Sequence, residues 1–283
     1  MSILYLPEEL LDHIVGLLYN SPDPLPKRMV ALRNYCLISK SWIPRTRKHL
    51  FATIWLHKRS LESWKKAFPD PSTSPTHYTK TLIITNHSLV TIADAEAGGW
   101  IRGFSHVVRF EVGSRGLELG ASLVPLQGFS PAIKFLRVNL KAPPPSQIVD
   151  LVLSFPLLED LTVYSDHWAV DGVDGPDPLP SLVQPSNPPI FTGSLNLFLG
   201  WGIKCIARPL LSLLSGIHFR KLALTWCEEE DPLLTMTLVE KCSHTVETLE
   251  VTYRRGASVP HRRCEIYASD YSLSEEKELY CVF

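Results

Sequence analysis

Apolar residues recur along the first part of the chain with the spacing of an amphipathic helix. Pro7, Glu8 and Glu9 suit the start of that helix, because proline fits the first turn and acids favour the positive end of the helix dipole. The apolar stripe is wider than a short helix needs for burial against its own neighbours, so we expect part of it to contact a partner. The stripe consists of Leu10, Leu11, Ile14, Leu17 and Leu18.

Two further helices are expected before residue 57. Residues 27–38 repeat the helical spacing, with Leu32 and Leu37 among their apolar positions. Ser39 and Ser41 can each cap a third helix, which we expect to contain Trp42 and to reach Ile54. A fourth helix is expected over residues 60–68, and a turn-rich linker follows it.

Beyond residue 76 the apolar spacing changes from helical to alternating, as in β-strands. One short pattern recurs, in which two apolar residues flank a third position. Successive first members of these pairs are 28, 26, 25, 34, 27 and 27 residues apart. The pairs are Leu82/Ile84, Phe110/Val112, Leu136/Val138, Leu161/Val163, Leu195/Leu197, Leu222/Leu224 and Leu249/Val251.

Helical patterns lie between several of these strands, at residues 146–155, 203–214 and 232–242, the last behind the expected cap Asp231. Alternation of strands and helices predicts an α/β fold with parallel strands. The repeats resemble leucine-rich repeats, and that resemblance implies a short, irregular solenoid, since an Asn or Cys does not regularly follow the apolar pairs. The alternative is a plain α/β domain whose strands happen to be evenly spaced.

Composition indicates a globular protein without a membrane segment. The chain has 283 residues, of which 45% are hydrophobic, and its net charge of −1 gives no reason to expect nucleic acid or membrane as a partner. We expect neither a signal peptide nor a spanning helix. Six cysteines without paired spacing suit reduced thiols, so a cytoplasmic or nuclear location is expected.

Sequence motifs of catalysis are missing. Residues 128–132 lack the second glycine of a nucleophile elbow, and no P-loop, dinucleotide fingerprint or zinc-protease motif occurs. His261 and Cys264 have a ligand-like spacing without a second pair. We therefore expect no enzyme, no cofactor and no metal site.

The first 56 residues, taken in order, resemble an F-box: a Leu-Pro helix start, an apolar stripe, the segment Cys-Leu-Ile-Ser-Lys-Ser-Trp and a basic third helix. The resemblance implies a substrate-recognition subunit of an SCF-type ubiquitin ligase that docks on a Skp-type adaptor and, through it, a cullin. The Pro-rich residues 21–26 make a longer connection than is usual in that family. The residues implied to bind the adaptor or hold the box together are Leu6, Pro7, Leu10, Leu11, Ile14, Leu17, Leu18, Leu37 and Trp42.

The strands also predict a binding surface for an unknown protein substrate. Positions between and after the apolar pairs point away from the core by the period of two. Their mixture of apolar, polar and charged types is that of a protein-binding face, although ordinary solvated strand positions are an equal alternative. The candidates are Arg109, Glu111, Arg137, Asn139, Thr162, Tyr164, Asn196, Phe198, Thr225 and Glu250, with Ile83, Thr85 and Thr252.

These patterns divide the chain into an F-box region (1–57), a helix and linker (58–76), a repeat domain (77–253) and an irregular tail (254–283). Within the repeats, the Pro-rich residues 166–191 predict a long loop, either disordered or functional. For the tail, either residues 272–283 cap the last repeat or the chain is a shortened version of a longer solenoid, which we favour. Two other functions stay open: an interaction scaffold whose first helices cap the solenoid, and a degenerate relative that folds poorly.

Overall fold

A computed structural model describes residues 7–23, 25–38, 40–56, 58–70, 73–85, 100–113, 123–139, 145–165, 191–199, 203–212, 217–227, 232–254 and 262–267. The chain is an α/β protein, as the alternation of elements predicts. It divides into two compact units, Met1–Leu140 and Lys141–Phe283. That division falls inside the stretch that the sequence predicts as one repeat domain.

The first unit begins with three helices: α1 (Glu8–Tyr19), α2 (Leu25–Cys36) and α3 (Ile43–Leu50). A 3-10 turn, Lys40–Trp42, precedes α3. The three helices, called here the helical group, enclose a core of Leu11, Val15, Leu32 and Trp42. α2 begins at Leu25, so Pro26 of the predicted long connection lies in the first helical turn, where proline is tolerated.

Two expectations about α3 are wrong. Ser41 does not cap it: the 3-10 turn puts Trp42 at the cap position, without a side-chain cap hydrogen bond, and Ser39 lies outside the described residues. The helix also ends at Leu50 rather than reaching Ile54, which belongs to strand β1 (Thr53–Leu56). Ile54 is paired with Leu82, 28 residues later, so β1 continues the strand period toward the N-terminus.

The first unit contains four parallel strands paired in sequence order: β1, β2 (Thr81–Thr85), β3 (Arg109–Gly113) and β4 (Phe135–Asn139). Helix α4 (Lys58–Ala67) follows β1, where the sequence predicts a helix over 60–68. The later connections contain 3-10 turns, at Pro75–Tyr78, Trp100–Phe104 and Val124–Leu126. Pro125 and Leu126 of the last turn are buried.

The second unit contains β5 (Asp160–Ser165), β6 (Ser194–Leu199), β7 (Lys221–Cys227) and β8 (Thr248–Arg254), parallel and in sequence order. Its helices are α5 (Pro145–Leu153), α6 (Ile203–Leu211) and α7 (Pro232–Lys241), in the three predicted places. Residues 166–190 of the predicted Pro-rich loop and the expected cap Asp231 lie outside the described residues. Phe191, placed in that loop, is instead a core residue 5.1 Å from the Phe219 ring, centroid to centroid.

The predicted repeat pairs occupy equivalent places in the strands. Within the first unit Leu82 faces Phe110 and Phe110 faces Leu136; within the second, Leu161, Leu195, Leu222 and Leu249 follow one row. The backbone repeats as well. Five carbonyls that lie one residue before a strand each accept two N–H groups from the start of the next strand: those of Ala52, Lys80, Val108, Gly193 and Arg220.

The end of the chain differs from the prediction in two ways. Leu249 and Val251 are half-buried rather than part of the closed core. The tail is also not irregular throughout, because β9 (Arg262–Tyr267) pairs with β8 in antiparallel orientation. Sequence analysis did not predict β9, since no further L-x-x-L-x-L unit follows Val251. Cys264 lies in β9 opposite Val251, while His261 and residues 272–283 lie outside the described part.

Candidate protein-binding surfaces

Helix α1 carries an apolar strip on the outside of the helical group. Leu10 is 48% exposed and Leu17 is 59% exposed, although both are large aliphatic side chains. Ile14 lies between them, half-buried against the group's core, and the three positions share one helix face by their spacing of four and three residues. We call Leu10, Ile14 and Leu17 the α1 strip.

Other residues of the implied adaptor set have different places. Leu11 and Trp42 are 4% and 2% exposed and form the core of the helical group, so they hold the fold rather than face a partner. Leu18 packs half-buried against that core. Pro7 is exposed, Leu37 is 85% exposed just after α2, and Leu6 lies outside the described residues.

Polar contacts fix how α1, α2 and α3 meet. The Arg45 guanidinium of α3 lies 2.9 Å from a carboxylate oxygen of Glu8 and 2.9 Å from one of Asp12, both on α1. The buried Thr46 hydroxyl donates to the Trp42 carbonyl at 2.8 Å, and the Cys36 sulfur lies 2.7 Å from the same hydroxyl. Because its own core and these contacts orient α1, the α1 strip is held outward.

The outward strand face of the first unit mixes aromatic, aliphatic and charged groups. Trp55, Ile83, Glu111 and Arg137 follow one row across β1 to β4, and Trp55 is 56% exposed. Arg109 lies 3.7 Å from the Glu111 carboxylate and 5.2 Å from the centre of the Phe135 ring. Asn139 is half-buried in the next row.

The outward face of the second unit has an ordered polar and aromatic arrangement on β5 and β6. The rings of Tyr164 and Phe198 are stacked, with centroids 4.5 Å apart and planes 5° from parallel. One row away, the Asn196 amide donates to the Thr162 hydroxyl at 3.1 Å. The predicted pairs Thr162/Asn196 and Tyr164/Phe198 are therefore brought together side by side.

Thr225 departs from the prediction of an accessible outward position. It follows Phe198 in the row but is only 6% exposed. Its register neighbours are Phe198 on β6 and Thr252 on β8. Glu250, half-buried on β8, shares a row with Asn196 and Ala223.

Some residues of these surfaces were missed by sequence reasoning. Asp160 accepts hydrogen bonds from the Ser194 backbone N–H and, at 2.6 Å, from the Ser194 hydroxyl, at the start of β5 and β6. Trp55 and Phe135 also lie on outward rows. The period of two could have identified Asp160 and Phe135, because each lies two residues before a predicted outward position, Thr162 and Arg137. Trp55 is the register partner of Ile83, another predicted outward position.

Two titratable groups in the described part have shifted pKa values. Burial lowers the pKa of His49 below 6.5, Lys48 lowers it further, and Asp12 acts in the opposite direction. Burial raises the pKa of the Cys242 thiol to about 11, so this thiol stays protonated near neutral pH. Cys36 and Cys242 are both free thiols.

Within the described ranges, no three His, Cys, Asp or Glu side chains group as a metal site would require. No helix among these residues has the length and apolar character needed to cross a membrane.

Comparison with family models, with curated proteins and with solved structures finds no match for this chain.

Proposed function

We propose that the chain is a substrate-recognition adaptor of an SCF-type ubiquitin ligase. In this proposal the helical group is an F-box that binds a Skp-type adaptor, and through it a cullin, while the strands form an irregular leucine-rich-repeat-like solenoid that binds a protein substrate. The chain itself contributes positioning and effective concentration, and its partners carry out the chemistry.

The α1 strip is the observation that supports this proposal most. Single exposed leucines are common on protein surfaces, but Leu10 and Leu17 flank Ile14 on one face of α1. The other face of the helix is buried in the core of the helical group. A helical group that completes its own core and still presents aliphatic side chains suits a partner-binding module.

The alternative is a scaffold whose first helices only cap the repeats. That reading expects the apolar positions of α1 to be covered by the strands. Instead Leu11 packs with Val15, Leu32 and Trp42 inside the helical group, and Leu10 remains about half exposed. The alternative therefore receives less support from α1, although α3 does lie against the turn Pro75–Tyr78.

The proposed substrate surface is the outward strand face. On the second unit, the stacked Tyr164 and Phe198 rings offer apolar area with little side-chain freedom left to lose, and Thr162 and Asn196 offer hydrogen-bonding groups beside them. Aromatic anchors next to polar groups are typical of protein-binding sites.

Adaptor binding by a Leu10→Ala/Leu17→Ala variant tests the proposal. Each leucine is already about half buried, so truncation removes roughly 1 kcal/mol of further burial, and the double change should weaken binding about thirtyfold. Calorimetric titration of the full chain with a purified Skp-type adaptor measures this loss.

A Leu157→Ala/Met236→Ala variant is the matched control. These side chains are 53% and 58% exposed and lie in the second unit, so adaptor affinity should be unchanged. Equal affinities for the wild type and the α1 variant would remove the α1 strip from the interface. No binding by the wild type would reject the ligase role itself.

A further inference from the structure

Helix α2 exposes one aliphatic side chain among the polar residues of its outward face, and a second aliphatic side chain follows directly after the helix. Leu32 is fully buried in the core of the helical group. Val30 lies on the opposite side of the helix from Leu32 and is 54% exposed. Leu37, one residue beyond the helix, is 85% exposed. These two exposed aliphatic side chains suit a contact with a partner.

These side chains follow one another along one side of the helix and past its end. Lys27, Val30 and Asn34 are three and four residues apart, which places them on one side of α2, and Leu37 follows three residues later in the turn after the helix. A shallow groove is lined by Lys27, Val30, Ala31 and Asn34. We call Lys27, Val30, Arg33, Asn34 and Leu37 the α2 face, since Arg33 borders the same exposed side.

The charge around the α2 face is strongly positive. Residues 25–50 contain seven Lys or Arg residues and no Asp or Glu, although the whole chain has a net charge of −1. Two of the seven are engaged within the helical group: Arg28 donates to the Tyr19 carbonyl, and Arg45 binds Glu8 and Asp12. The other five are exposed: Lys27, Arg33, Lys40, Arg47 and Lys48.

Across the part of the chain that the structure describes, no carboxylate lies within ion-pair distance of Lys27 or Arg33. The α2 face therefore combines aliphatic side chains with positive charges that the described residues leave uncompensated. Its complement is a surface with both apolar groups and negative charge.

We propose that the α2 face binds an acidic, amphipathic segment of a partner protein. Carboxylates of that segment pair with Lys27 and Arg33, and its aliphatic side chains cover Val30 and Leu37. A nucleic-acid strand would satisfy the positive charges but would leave Leu37 exposed, so the apolar half of the face favours protein. This surface stands whether or not the α1 strip binds a Skp-type adaptor, although the F-box resemblance assigned Leu37 to adaptor binding.

The test measures fluorescence anisotropy of a labelled peptide with the full chain. The peptide has about 18 residues, with leucines at helical spacing and glutamates elsewhere. Two variants separate the components: Lys27→Glu/Arg33→Glu reverses the charge, and Val30→Ser/Leu37→Ser removes the apolar part. All four side chains are exposed, so both variants should fold, which circular dichroism and thermal melting check.

Saturable binding to the wild type is expected, with each variant weakening it roughly tenfold. Arg47→Glu/Lys48→Glu on α3 is the matched control, since it changes net charge equally and should leave affinity within about threefold. The proposal is overturned if the wild type does not bind, or if the α3 variant loses as much as the α2 charge variant. It is also overturned if a single-stranded DNA oligonucleotide binds as tightly and the Val30→Ser/Leu37→Ser variant retains that binding.

Discussion

Arg45 shows how single side chains orient the helical group. It is 16% exposed, while its partners Glu8 and Asp12 on α1 are mostly exposed. Surface ion pairs are individually weak, but a guanidinium that meets two carboxylates fixes the angle between two helices. The same contact keeps the α1 strip outward, because Glu8 and Asp12 point toward α3 from the flank of α1.

His49 should make the helical group less stable in mild acid. It packs 4.9 Å from the Tyr19 ring, and burial together with Lys48 lowers its pKa in the folded chain. The unfolded chain therefore binds the proton at higher pH than the folded chain does. The stabilising contribution is complete above pH 6.5 and is lost as the pH falls from 6.5 through the folded pKa.

Thermal melting between about pH 7.5 and pH 5.5 measures this effect. His49→Gln should melt with a smaller fall in Tm over that interval than the wild type. His13→Gln, at an exposed position of α1, is the control and should follow the wild type. A His49→Gln variant with an unchanged pH dependence would show that His49 is not the responsible group.

At the scale of elements, the strand positions were the most predictable feature. Leu82, Phe110 and Leu136 are adjacent in one register row, because parallel strands joined by connections of similar length stack equivalent residues. The helix-to-strand change at Leu50 was not predictable from spacing, since Phe51 and Ile54 continue the helical pattern. The strand register shows that Ile54 belongs to β1, because it is paired with Leu82 of β2.

The row from Leu161 to Leu249 predicts a gradient of mutational cost within the second unit. Leu195 is fully buried, so Leu195→Ala should lower the free energy of unfolding by about 2–5 kcal/mol. Leu249 is half-buried, and Leu249→Ala should cost roughly half as much. Equilibrium denaturation in urea measures both. Leu222→Ala is the control: Leu222 is also buried, so this variant should lose as much free energy of unfolding as Leu195→Ala. Equal losses for Leu195→Ala and Leu249→Ala would contradict the view that the core is less buried at β8.

At the scale of the whole molecule, two kinds of hydrogen bond recur between successive strand segments. The carbonyls that precede β1, β2, β3, β6 and β7 each accept two N–H groups from the start of the next strand. Hydroxyls add to this: Ser130 donates to the carbonyls of Ser105 and Val107, and Thr245 donates to that of Phe219. The sequence does not reveal these bonds, because backbone carbonyls carry no residue signature and serine and threonine are common.

The two units also differ in their connections, which the strand period alone could not predict. In the first unit, 3-10 turns lie between β2 and β3 and between β3 and β4, whereas in the second unit α6 and α7 lie between β6, β7 and β8. The period of two predicts which strand residues lie on the outward faces. It does not predict that Thr225, at an outward position, is only 6% exposed. The antiparallel β9 was unpredicted, since strand direction depends on how the chain returns and not on its apolar pattern.

The proposed adaptor function depends most directly on where a Skp-type adaptor contacts the full chain. Hydrogen–deuterium exchange of the chain, alone and with the purified adaptor, measures this. We expect slower exchange in the peptides covering α1, with little change in those covering β5 and β6. Unchanged exchange in α1, or protection confined to the strands, would contradict an F-box role for the helical group.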